Sequence, residues 1–158
     1  MTNGRMRGLA LCLAIGAIAI GLAPAFSVSA NVVADRGCTP GYWKNHPDAW
    51  EEYTTSQKIG PIFGASLPQA GQTFLEALQG GGGSGVAGAQ AILLRAAVAA
   101  TLNAAHDTVG YPLRRYQDPP APNGFIPVVS SLLASGDRDA MLEYAAYLDR
   151  LNNLGCPL

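Results

Sequence analysis

The sequence predicts an all-α fold, a small single-domain bundle of about five helices around an alanine-rich central helix. Apolar residues recur at helical spacing along most of the chain, and no run alternates polar and β-branched residues over the length of a strand. Clusters of glycine and proline divide the apolar stretches, as connections between helices do. Two cysteines, Cys38 and Cys156, bracket the helical region.

The first two helices are expected to be short. Pro47 suits the first position of a helix over 47–53, and the acidic residues that follow it would lie near the positive end of the helix dipole. A second helix is predicted over 68–79, with Phe74 facing inward, and it stops at a run of four glycines. The stretch 54–67 between these two helices is expected to be irregular.

The third and longest helix, predicted over 86–106, is the expected centre of the fold. From Val86 to Ala105 only four side chains are polar, and a helix that is apolar nearly all round is a buried one. The nine alanines in this range would let neighbouring helices approach closely. Arg95 at mid-length argues against insertion into a membrane.

Two further helices complete the predicted bundle. One runs over 123–134 with Asn123 as its cap, and the last begins at Ser135 or Asp137 and stops at Gly155.

The proline-rich connection over 107–123 is about as long as a compact domain allows without a functional reason. Its polar and aromatic residues include Tyr111, Arg114, Arg115, Tyr116 and Asp118. They form either a recognition surface or a polar crossover whose prolines limit its flexibility, and the crossover is favoured.

Residues 1–30 are typical of a secretory signal peptide. Two arginines precede an uncharged apolar run that ends in small residues, which predicts cleavage after Ala30. Cleavage after Ala25, or retention of the segment as an N-terminal anchor, are the alternatives. With cleavage, residues 31–158 form one secreted or extracytoplasmic domain without a further membrane span, either free or associated with the cell surface.

Export also predicts the state of the cysteines. In an oxidising compartment Cys38 and Cys156 are expected to bond to each other, because a lone exposed thiol is a liability there. The closed loop would remove about 4 to 5 kcal/mol of unfolded-chain entropy. An intermolecular bridge, which would make the protein a covalent oligomer, is the alternative.

The charge balance excludes one class of partner. Residues 31–158 carry eight basic and 11 acidic side chains, so the basic field that holds a nucleic-acid backbone is missing. We therefore expect no nucleic-acid partner.

Motifs for catalysis and cofactors are weak. The run 83–88 matches the spacing of dinucleotide-binding glycines, but a helix rather than a strand is predicted before it. His46 and His106 are low-ranking metal candidates, because a zinc site would need both of them and a carboxylate. Glu51 and Glu52 are expected on different sides of a helix and so do not form a catalytic pair. The sequence therefore predicts no cofactor, no metal site and no catalytic residue.

Aromatic residues give the best binding hypothesis. The chain concentrates four rings within a dozen positions, at Tyr42, Trp43, Trp50 and Tyr53. Such rings suit stacking on a sugar or insertion into a partner's groove. The structural interpretation is that they cover a small alanine-rich core. Exposure of Trp43 or Trp50 distinguishes the two interpretations.

The same region carries a resemblance to known proteins. The opening Cys-Thr-Pro-Gly-Tyr-Trp-Lys-Asn-His (38–46) resembles that of exported bacterial and archaeal proteins, often ones with surface-associated or repetitive modules. The resemblance extends to 103–106, to 111–113 and to the closing 154–158. It implies an exported surface-type module and supplies no activity or catalytic residue.

These observations predict a non-catalytic binding or structural module at the cell exterior, whose partner is a cell-surface protein, a glycan or a copy of itself. Its expected recognition surface is the aromatic cluster over 42–53. The alternative is an extracytoplasmic protein, hydrolytic in one version, that binds a metal or small ligand with His46 and His106.

Overall fold

A 21-residue helix, α4 (Gly85–Ala105), forms the centre of the fold. In the computed structural model, which describes residues 35–116 and 124–158, every residue of α4 from Ala96 to Asn103 is buried. By length and composition alone α4 could cross a membrane, but two-thirds of its most apolar window is buried inside the protein. The predicted central helix is therefore confirmed, and most of its alanines are buried.

Five more α-helices surround α4 within the described residues. They are α1 (Pro40–Asn45), α2 (Gly60–Phe63), α3 (Phe74–Gln79), α5 (Phe125–Ser135) and α6 (Arg138–Asn152). Helix α6 packs most extensively against α4, followed by α3. The same residues contain no strand and only two isolated β-bridges. The all-α prediction is confirmed.

Residues 40–63 differ from the predicted helix boundaries. The helix expected over 47–53 is only a 3₁₀ turn, Pro47–Ala49, and the regular helix lies before it as α1. The cause is local: Thr39 Oγ1 accepts a hydrogen bond from the Tyr42 N–H, and Pro40 occupies the first helical position. The stretch expected to be irregular contains the single turn of α2.

The second predicted helix is shorter at its start. Helix α3 begins at Phe74 because Thr73 and Glu76 form a capping box, in which each side chain accepts a bond from the other residue's backbone N–H. Residues 68–73 form turns instead.

The C-terminal helices agree with the prediction to within a few residues. Asp137 caps α6 by accepting bonds from the N–H groups of Asp139 and Ala140, both at 3.1 Å. Gly124 caps α5, and the expected cap Asn123 lies outside the described residues, as does the predicted signal peptide.

A disulfide between Cys38 and Cys156 closes the bundle, with the Cα atoms 4.4 Å apart. Next to it the Gly37 N–H donates to the Gly155 carbonyl at 3.3 Å. Gly37 lies so close to α6 that a Cβ there would overlap the Leu151 carbonyl oxygen. The intramolecular pairing is confirmed, and a disulfide of this kind indicates an oxidising environment.

Candidate functional site

The 38–46 motif folds against the core. Trp43 has no exposed surface, and its indole N–H donates to the Asn103 side-chain oxygen at 3.1 Å. The Tyr42 ring meets the Trp43 ring edge-on and stacks against the His46 ring, and the Tyr42 and His46 centroids lie 4.2 Å apart. The His46 Nδ1–H donates back to the Tyr42 carbonyl at 2.9 Å. Most of the motif therefore serves to build α1 and anchor it.

The burial of Trp43 corrects the predicted recognition surface at that one residue. Trp43 cannot contact a partner, because all of its side chain is enclosed by the core. Trp50 is partly buried and its indole N–H is held by the Trp43 carbonyl at 2.9 Å. Tyr42 and Tyr53 are also partly buried and pack against the core. Trp43 is thus a core residue, whereas Tyr42, Trp50 and Tyr53 each keep part of their surface exposed.

Asn103 is the hub of a buried hydrogen-bond network. Its Oδ1 accepts from the backbone N–H of Cys38 at 2.7 Å, and its amide donates to the Cys38 carbonyl at 2.9 Å and to Asn152 Oδ1 at 3.0 Å. Asn152 also accepts from the Tyr111 hydroxyl at 2.9 Å and donates to the Ala96 carbonyl at 3.0 Å. Burial raises the pKa of Tyr111, so its hydroxyl keeps the proton that it donates here.

Beside this network lies an open cavity of about 510 Å³, which we call the polar cleft. It is lined by Glu52 and by the segments 103–107 and 110–116. The floor is the C-terminal end of α4, and the wall is the first part of the proline-rich connection. Two neighbouring glutamates, Glu51 and Glu52, reach from the turn after α1 to the other segments and fix the wall in place.

Glu51 holds the corner of the wall. One carboxylate oxygen accepts from the Asp107 N–H at 2.8 Å and the other lies 3.4 Å from His106 Nε2. The opposite ring nitrogen, Nδ1, accepts from the Thr108 N–H at 3.3 Å and from the Thr108 hydroxyl at 3.1 Å. These bonds place the ring proton on Nε2 and align a hydroxyl, an imidazole and a carboxylate.

Glu52 contacts the outer part of the wall and has a strained backbone conformation. Its φ is 59°, which makes it the only residue other than glycine with positive φ among those the structure describes. Its carboxylate accepts two bonds from Arg115, at 2.6 and 2.8 Å. Arg115 also donates to the Tyr53 hydroxyl at 3.0 Å and lies over the Tyr53 ring. The Glu52 carboxylate holds the pKa of Arg115 above its ordinary value.

The cleft offers both signs of charge and one exposed ring. Asp107 and Arg114 are exposed at its edge, next to the Glu52–Arg115 pair. Tyr116 is 48% exposed, more than any other aromatic residue in the described ranges. A neutral ligand rich in hydroxyl groups would find acceptors, donors and a stacking face here.

The histidines do not form the metal site considered from the sequence. His46 is held by Tyr42, and His106 is held by Glu51 and Thr108. Within 35–116 and 124–158 no group of three or more histidine, cysteine, aspartate or glutamate side chains is placed to hold a metal ion. A site made of both histidines and a carboxylate is therefore not assembled in that part of the chain.

The sequence predicted some of the residues of the polar cleft and missed others. As one interpretation of the proline-rich connection, it singled out Tyr111, Arg114, Arg115 and Tyr116, which line the cleft, and Asp118, which lies outside the described residues. It missed Glu51 and Glu52, because a helix over 47–53 would have turned them apart, whereas the turn directs both toward the same segment. No sequence signal marks the positive φ of Glu52.

Comparison of the chain with protein-family models, with curated proteins and with solved structures finds no match.

Proposed function

We propose that this protein is an exported, non-catalytic binding module that holds a neutral glycan in the polar cleft at the cell exterior. The observation that carries the proposal is the cleft itself, a preformed cavity whose wall is fixed by the strained Glu52 and its two bonds to Arg115. Strain of this kind persists where the surroundings impose it, and it concentrates at functional sites. The predicted signal peptide and the disulfide support a location outside the cytoplasm.

The chemistry of the lining favours a glycan over a charged ligand. Glu52 and Asp107 balance Arg114 and Arg115, so the cleft has no net charge with which to select an anion or a cation. Sugar hydroxyls donate and accept hydrogen bonds, which suits carboxylate acceptors beside guanidinium donors. The face of the Tyr116 ring at the rim suits the apolar face of a sugar.

The test is binding of neutral oligosaccharides to the oxidised protein, with hexasaccharides of the cellulose, chitin, starch and xylan types as probes. We expect at least one probe to bind in a calorimetric or NMR titration. Tyr116→Ala should weaken this binding about tenfold, the effect of losing one stacking interaction of about 1.4 kcal/mol. Arg114→Ala should weaken it as well, through lost hydrogen bonds.

The matched control is Tyr147→Ala, which removes a ring of the same type from α6, outside the polar cleft. It should leave the affinity unchanged. Absence of binding by all four probes, or equal losses in Tyr116→Ala and Tyr147→Ala, would contradict the proposal.

A second candidate function is hydrolysis at His106, favoured by the line of Thr108, His106 and Glu51. In this version Nδ1 takes the proton of a hydroxyl or a water, and Glu51 stabilises the resulting imidazolium. The His106 side chain is only 10% exposed, which leaves little room for a substrate and ranks this candidate below binding.

Hydrolysis of p-nitrophenyl acetate separates the two candidates. A hydrolytic site predicts turnover that is lost in His106→Gln and kept in His46→Gln, which alters the exposed histidine. Equal rates in both variants would rule out a hydrolytic role for His106.

A further inference from the structure

A second groove lies between α5 and α6, and we call it the tyrosine groove. Its volume is about 600 Å³, and its lining includes Leu132, Tyr144 and Tyr147. The two tyrosine rings are partly buried and lie 5.6 Å apart. Tyrosine and arginine are enriched at the centres of protein interfaces, and arginine is present here too as Arg150.

The groove has a charge of opposite sign toward each end. Glu143 and Arg150 both line it, both are exposed, and they are seven positions apart on α6. Seven residues are nearly two full turns, so the two charges share one face about 10 Å apart. Neither takes part in an ion pair with another residue of the described ranges.

Arg150 is held at the groove by a contact with Tyr147. Its guanidinium lies over the Tyr147 ring, 5.7 Å from the centroid. A guanidinium that stacks on a ring by its face keeps its N–H edge available, and that edge matches a carboxylate in the bidentate manner.

We propose that the tyrosine groove is a homodimer interface in which α6 of one copy lies antiparallel to α6 of a second copy. Two-fold symmetry then brings Glu143 of each copy to Arg150 of the other, so that two identical ion pairs form across the interface. The axis passes near Ala146, an exposed small residue that lets the helices approach closely. A second copy is the partner that this charge pattern matches. When two α6 helices run in opposite directions, the acidic end of each meets the basic end of the other.

The test is sedimentation velocity of the oxidised protein up to about 500 µM, a concentration that populates a weak dimer of micromolar affinity. We expect the wild type to dimerise. Glu143→Arg and Arg150→Glu should each weaken the dimer at least about tenfold, because each substitution places two like-charged pairs in the interface. Both residues are exposed, so circular dichroism should show that each variant folds as the wild type does.

Mixing the two variants gives the decisive result. In an antiparallel dimer of Glu143→Arg with Arg150→Glu, both contacts join opposite charges, so the mixture should dimerise with about the affinity of the wild type and more tightly than either variant does alone. Asp149→Arg is the control. Like Glu143→Arg it replaces an acidic residue by arginine, but Asp149, although adjacent to Arg150 on α6, lies outside the groove. It should leave the dimer intact. A wild type that stays monomeric overturns the proposal, and so does a dimer unaffected by the single reversals or a mixture that dimerises no more tightly than the single variants.

Discussion

The indole N–H of Trp43 donates to the side-chain oxygen of Asn103, 60 residues further along the chain, at 3.1 Å. The same oxygen accepts from the Cys38 N–H at 2.7 Å. One amide on the central helix therefore fixes both the start of the N-terminal motif and its largest ring. Tryptophan in a small core needs such a partner, because an unpaired buried N–H costs free energy.

Asn103→Ala should lower the free energy of unfolding by about 3 kcal/mol or more. The substitution leaves the buried N–H groups of Cys38 and Trp43 without a partner, and each such group costs about 1 to 3 kcal/mol. Urea denaturation of the oxidised protein measures the change. Asn153→Ala is the control, because Asn153 is exposed and its side chain bonds only the Asp149 carbonyl. A loss of similar size in both variants would contradict the assigned role of Asn103.

Glu52→Gly should lower the affinity for the glycan without lowering the stability of the protein. Glycine removes the cost of positive φ, about 1 to 2 kcal/mol, while the lost surface pair with Arg115 is worth about 0 to 1 kcal/mol. The free energy of unfolding should therefore stay the same or rise slightly. Glycan affinity should fall, because Arg115 is no longer held in the wall of the polar cleft.

Arg115→Lys is the companion variant for that experiment. Lysine keeps the charge but cannot form two parallel bonds to one carboxylate. It should weaken glycan binding while Glu52 keeps its strained conformation. A marked loss of stability in Glu52→Gly would show that the pair, and not the strain, dominates at this position.

Removal of the disulfide should cost about 4 to 5 kcal/mol of stability, the loop-closure value for a sequence separation of 118 residues. The double variant Cys38→Ala/Cys156→Ala is preferred to reductant, since it keeps the solvent unchanged. Urea denaturation gives the difference, and an intact mass that rises by two hydrogens on reduction verifies the bridge in the wild type. A difference below about 1 kcal/mol would mean that the unfolded chain is already constrained by other means.

Glu76→Gln should destabilise the protein near neutral pH and have no effect in acid. The backbone N–H and hydroxyl of Thr73 hold the pKa of Glu76 below its ordinary value of 4.5. A depressed carboxyl pKa contributes stability that is fully present above pH 4.5 and is lost as the pH falls through the folded-state pKa. Thermal midpoints of the two proteins should differ near neutrality and converge in acid. A constant difference at all pH values would contradict a role for the charge.

Much of the fold was predictable because its strongest signals are local. The apolar run of α4 and the Asp137 cap of α6 are visible in the sequence, and both helices lie close to where they were expected. Helix α1 was missed although Thr39 and Pro40 form an ordinary helix start, because Pro47 offers a second helix start seven residues later. Aromatic residues are common both in protein cores and in binding surfaces, so their presence in the sequence does not distinguish the two roles.

The site was less predictable because its contacts are distant in sequence. Glu51 meets Asp107 across 56 positions and Glu52 meets Arg115 across 63. Periodicity and motif spacing report neighbours within a few turns and contain no information on such pairs. The positive φ of Glu52 likewise has no signal in the neighbouring sequence.

The disulfide has a mechanical consequence. Tension that pulls on the chain before Cys38 and after Cys156 enters and leaves at two Cα atoms only 4.4 Å apart. The covalent bond carries that load. The segment between the two cysteines, whose sequence separation is 118, lies outside the force path. The helices, the polar cleft and the tyrosine groove can then keep their shape under a pull that would unravel a helical bundle without the bridge.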